Sequence, residues 1–207
     1  MSRRGGAGEG VLLGLLLRVP GVAIPLFQIP MMFWARWSFY QRHPDYVQHS
    51  APTISRAISD PAIGGPFAMM ILAVTAVVLL ALVPIFHGYR TAIDTRFAQD
   101  PALRRSLTAR VWLALGLQVV GSAGMVVCTQ YTFANNHDLH MLGSYVFFVG
   151  QGGAIAMSGF LCARIAGAAH IAPDAPFALL PHMSRLRKRA AQIVAGMAAL
   201  YMVLFAI

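Results

Sequence analysis

From Pro66 to Phe86 the chain runs without one charged side chain. A segment of that length and composition suits a transmembrane helix. About 20 apolar residues cross the hydrocarbon, and a helix is the form that leaves no backbone polar group unpaired in lipid. Similar segments occupy residues 15–37, 111–133, 139–163 and 190–207. Together they predict an all-α, polytopic transmembrane helix bundle with five spans, forming one domain over residues 1–207. Composition agrees: 57% of residues are hydrophobic and 11% charged, where a soluble domain carries about a quarter charged.

The first span is the least regular. Pro20, Pro25 and Pro30 each remove a backbone donor and predict kinks or interruptions. Arg18 lies inside the apolar run, which places it at the start of the span or snorkelling to the interface. A secretory signal peptide is the competing reading, but no small-residue cleavage site follows Val11–Leu17. Phe33, Trp34, Trp37, Phe39 and Tyr40 then form an aromatic interface belt at the far end.

Charge sets the expected orientation. The tail with Arg18, the loop after the second span (Arg90, Arg96, Arg104, Arg105, Arg110) and the loop after the fourth carry thirteen basic residues. The opposite loops carry only Arg36, Arg42 and Arg56. This asymmetry places the N-terminus in the cytoplasm. It also accounts for the net charge of +9 without a nucleic-acid partner, because the charge flanks spans instead of forming a patch on a soluble fold. The run Arg185, Arg187, Lys188 and Arg189 is a topology determinant that can also attract anionic lipid headgroups, worth about 1 kcal/mol per basic residue.

Polar chemistry gathers on the non-cytoplasmic side. The long first loop holds His43, Asp45, His49, Ser55, Arg56, Ser59 and Asp60, and Asn135–His140 precedes the fourth span. His137 and His140 are three apart and share a helix face. With His49 or Asp60 over them they would make weak candidates for a metal site, but one pair falls short of the three or four ligands a metal needs. The simpler expectation is that Asn136 or Asp138 caps the fourth span and His140 packs in its first turn. Neither haem nor another cofactor is expected, since His87 and His140 sit at opposite ends of their spans. No nucleophile elbow, phosphate loop or zinc-protease motif occurs. No acidic residue lies within a span, which weakens ion-coupled transport. Cys128 and Cys162 fall near opposite ends of neighbouring spans, too far apart to bridge.

Pro52-Thr53-Ile54-Ser55-Arg56-Ala57-Ile58, followed by Pro61 and Pro66-Phe67, resembles the first-loop signature of the Frag/DRAM/Sfk family of six-span membrane proteins. His140, Gly143, Phe147 and Gly150 resemble that family's pattern in the fourth span. The resemblance covers about residues 15–205. It implies a role in membrane-lipid handling: remodelling of glycosylphosphatidylinositol (GPI) anchors, or lipid and autophagy regulation, and, if the protein is eukaryotic, a place in endomembranes (Golgi, endoplasmic reticulum or lysosome) or the plasma membrane. It also implies a sixth span absent from this chain, and Pro52, Ser55, His140, Gly143 and Phe147 as site residues. Asp60 joins them as a headgroup contact, with membrane lipids as partners. A small transporter or channel is the first alternative and would need a polar path through the bundle. A metal-dependent membrane enzyme using His137 and His140 is the second.

Overall fold

The computed structural model describes residues 26–167 and 181–205. Among them there is no strand, and the helices are α1 (26–42), α2 (Pro44–His49), α3 (Ile54–Ala57), α4 (Pro61–Arg96), α5 (Pro101–Gln130), α6 (His137–Gly167) and α7 (Pro181–Phe205). Three of these, α4, α5 and α6 as far as Ile165, are long and apolar enough to cross a membrane. They contain the segments read at 66–86, 111–133 and 139–163, except that α5 stops at Gln130 and leaves 131–133 to the turn. The described residues therefore show three such helices, not five. Residues 15–25 of the first expected span lie outside them, and the fifth falls within α7 apart from its last two residues.

Helices α4, α5 and α6 each start on a side-chain cap. Asp60 Oδ1 accepts from Ala62 N–H at 2.9 Å, Asp100 Oδ1 from Leu103 N–H at 2.9 Å, and Asn136 Oδ1 from Leu139 N–H at 3.0 Å. These bonds satisfy donors that the first turn of a helix otherwise leaves orphaned. Pro61 and Pro101 follow two of the caps, where the missing N–H costs nothing. Nothing stops α4 at the membrane boundary, so its 36 residues extend about 54 Å against a hydrocarbon core of about 30 Å. The basic residues assigned to a long loop are consequently helical: Arg90 and Arg96 on α4, and Arg104, Arg105 and Arg110 on α5. Only 97–100 separates the two helices.

The chain divides into two compact units, with α4, α5 and α6 each contributing to both. One described unit includes residues 26–81 and 122–147. Its core joins Ala35 and Phe39 of α1, Ala57 and Ile58 at α3, and Ile63, Phe67 and Ile71 of α4. Helix α1 runs on through Pro30, which therefore does not interrupt it. Phe39, read as part of an aromatic belt, is buried in this core at 4% exposure, while Phe33 and Trp37 stay exposed. The difference is helical phase: 35 and 39 lie one turn apart on the inward face.

The other described unit includes Leu82–Gly121 and Phe148–Gly167, with α7. Ile93, Phe97, Leu107, Val111, Leu161 and Ile165 form its core. Arg96 donates to the Ile165 carbonyl at 3.2 Å, satisfying an acceptor at the end of α6. A small cavity there is lined mainly by Leu82, Phe86, Val111 and Leu115, with Gln118 and Ser158 contributing polar groups. Arg185, Lys188 and Arg189 on α7 are exposed.

Candidate functional site

The site is built where the end of α5 meets the start of α6. Glycine makes that approach. A Cβ on Gly143 would lie 2.6 Å from the Cys128 nitrogen, and one on Gly124 would lie 2.5 Å from the Phe147 nitrogen. Neither is sterically admissible, so the two backbones touch only because both positions lack a side chain. Gly121 and Gly150 repeat the device in the other unit. The family-pattern residues Gly143 and Phe147 thus belong to a helix-packing seam.

His140 lies one turn before Gly143 and is 2% exposed. Its Nδ1 is 2.7 Å from the Cys128 carbonyl oxygen and 2.8 Å from that of Tyr131. Both carbonyls are available because α5 ends at Gln130: terminal carbonyls have no intrahelical donor. The neighbouring loop groups are paired separately. Thr132 N–H donates to Asn135 Oδ1 at 2.6 Å, and Asn135 Nδ2 to the Gln130 carbonyl at 3.2 Å. Carbonyl oxygens only accept, so Nδ1 carries the ring hydrogen and shares it between them. Phe133 packs on the ring at 4.4 Å between centroids.

The opposite nitrogen, Nε2, is 3.1 Å from Ser55 Oγ. In the neutral ring Nε2 holds the lone pair, so the Ser55 hydroxyl donates to it. Ser55 reaches this position from α3, a single turn capped by Thr53 Oγ1, which accepts from Arg56 N–H at 3.1 Å. Pro52 ahead of it is fully buried, and Ser59 Oγ donates to the Ser55 carbonyl at 2.9 Å. Ser55 itself is half-buried. Arg56 beside it is exposed, its guanidinium 5.1 Å over the Tyr46 ring.

Asp60 is engaged elsewhere. Its Oδ2 accepts from Arg42 Nε at 2.7 Å and lies 3.0 Å from His43 Nε2. Burial pushes its carboxyl up, but the bonds from Arg42, Ala62 N–H and His43 together outweigh this and hold it below the ordinary 3.8. Its side chain is 8% exposed, leaving little carboxylate for a ligand. Arg42, His43 and Asp60 are all visible as polar residues in the sequence while their pairing is not; opposite charges at the two ends of one loop are the available signal.

The metal alternative required His49 or Asp60 beside His137 and His140. Asp60 is instead held by Arg42 and His43, His137 is exposed and stacks on Phe133 at 5.0 Å, and His140 has both nitrogens occupied. Among the described residues no three His, Cys, Asp or Glu side chains cluster as metal ligands. The capping expectation holds, with Asn136 as the cap and His140 bonded in the first turn. Cys128 and Cys162 are free, buried thiols.

Comparison with known families gives a match to the Frag1/DRAM/Sfk1/Cwh43P N-terminal domain over residues 18–207. No curated protein and no solved structure matches.

Proposed function

The chain belongs to the Frag1/DRAM/Sfk1/Cwh43P family, and from that membership we propose that this integral membrane protein handles membrane lipids. The reading extends to GPI-anchor lipid remodelling, or to lipid and autophagy regulation, in endomembranes or the plasma membrane. It places the N-terminus in the cytoplasm and the α5–α6 turn on the opposite face. The observation that carries it is the Ser55–His140 hydrogen bond. It joins the family-like first loop to the family-like start of α6, at the end of a membrane-crossing helix where headgroups lie. Exposed Arg185, Lys188 and Arg189, with Arg187 in the same run, would attract anionic headgroups on the cytoplasmic side.

The transport alternative needs a polar path through the bundle. The mainly apolar lining of the cavity in the unit with α7 lends it no support. The lipid reading is tested by comparing surface GPI-anchored proteins and total lipids by mass spectrometry in cells with wild-type protein, Ser55→Ala, His140→Ala, and no protein. A changed anchor or phospholipid profile in both variants, at normal protein abundance, is the expected result. Unchanged lipids on complete deletion would sink the reading.

A further inference from the structure

We propose that Ser55 and His140 are a nucleophile and general base for acyl transfer from carboxylic esters of phosphate-bearing membrane lipids. The proposal rests on the lipid-handling reading and adds a reaction to it. Its basis is the tautomer imposed on His140. The two carbonyls fix the hydrogen on Nδ1 and so aim the Nε2 lone pair at the Ser55 hydroxyl, 3.1 Å away. A base ring oriented through its far nitrogen and bonded to a hydroxyl through its near one is the arrangement that activates a serine. Here Cys128 and Tyr131 carbonyls stand where a carboxylate often stands. They accept the same N–H, and their dipoles favour the imidazolium that forms when Nε2 takes a proton.

Position and charge supply the substrate class. His140 sits in the first turn of a membrane-crossing helix, and Ser55 lies just ahead of α4, whose most apolar stretch is only 6% buried. Both residues therefore stand near an interface between water and hydrocarbon, where the ester carbonyls of glycerolipids also lie. Ser55 is half-buried and adjoins exposed Arg56, a cation suited to a lipid phosphate.

The chemistry balances without redox or metal. Ser55 Oγ bonds to the ester carbonyl carbon while its proton passes to His140 Nε2. The bond from that carbon to the lipid alkoxy oxygen breaks, and the departing oxygen takes the proton from Nε2, leaving acyl-Ser55 and a lysolipid. The oxygen of an acceptor hydroxyl, from water or a second lipid, then bonds to the acyl carbon of acyl-Ser55, and the bond from that carbon to Ser55 Oγ breaks. The acceptor gives its proton to Nε2, and that proton returns to Ser55 Oγ.

The test uses the purified full chain in phosphatidylglycerol nanodiscs. It is treated with a fluorophosphonate probe, and separately with a fluorescent-acyl phosphatidylglycerol and a matching diacylglycerol. Peptide mass spectrometry is expected to locate the phosphonate adduct on Ser55, a readout that requires no variant. His140→Gln should slow labelling on the order of 100-fold or more, the range of general-base loss, while His137→Gln labels at the wild-type rate. Arg56→Gln should lower turnover of the phosphatidylglycerol but not of the diacylglycerol. No adduct on Ser55, or equal loss in His140→Gln and His137→Gln, would overturn the proposal. Free fatty acid as product identifies water as the acceptor, and a labelled second lipid identifies a lipid hydroxyl; either supports the reaction. If cellular lipids shift in Ser55→Ala while the purified protein never forms the adduct, the reaction falls and lipid handling stands. If Ser55 is acylated but deletion leaves cellular lipids unchanged, lipid handling falls instead.

Discussion

At the scale of single residues, Asp60 does two jobs with one carboxylate: Oδ1 caps α4 and Oδ2 holds Arg42 and His43. Because its folded-state pKa is lowered, the ionised form contributes stability that is fully present above the ordinary 3.8. That contribution is lost as pH falls through the lowered folded value. The thermal midpoint in detergent should therefore fall below pH about 4 in wild type. In Asp60→Asn the same decline should be shallower, from a lower starting point. Parallel wild-type and variant curves would show that the carboxylate contributes nothing. Ser55, His140 and Asp60 were all legible as polar residues of one face. The partners of His140 were not, because two of the three are main-chain oxygens, which carry no residue type. The N-cap was readable from Asn136 standing just before an apolar run.

Among elements, the α5–α6 seam is the one on which the site depends. Gly143→Val would put a branched side chain against the Cys128 backbone, at a cost of about 1–3 kcal/mol for overpacking. The variant should melt earlier in detergent and, by shifting α5, weaken the bonds to His140. An unchanged melting curve would place the helices further apart than described. Asn136→Ala should cost about 1 kcal/mol through the lost cap, read from the same melts. The existence of α4, α5 and α6 followed directly from their apolar runs. Their lengths did not: Arg90 and Arg96 read as loop residues, yet arginine is a good helix former and no glycine or proline stands between Arg90 and Asp100-Pro101, while Arg104 and Arg105 follow that stop inside the first turns of α5. The tight approaches between α5 and α6 fall at Gly121, Gly124, Gly143 and Gly150, which the apolar runs alone do not single out. Spacing alone cannot say which face of a nearly all-apolar helix meets a neighbour.

For the whole molecule, the asymmetry of basic residues makes a topological prediction. Ala98 and Ala134 are exposed at the two ends of α5, and the native thiols are buried, so background labelling should be low. A membrane-impermeant maleimide applied to intact cells carrying the protein at the plasma membrane should label Ala134→Cys and spare Ala98→Cys. The reverse pattern would invert the orientation. The carbonyls that hold His140 have a genetic consequence as well. No side-chain substitution can delete a main-chain oxygen, so a scan of size-matched substitutions would score Cys128 and Tyr131 as tolerant while their carbonyls remain indispensable. The losses would instead surface at Gly124, Gly143 and Asn135, residues that never touch the ring. A disease or resistance variant mapped there would mimic the absence of a histidine that is still present.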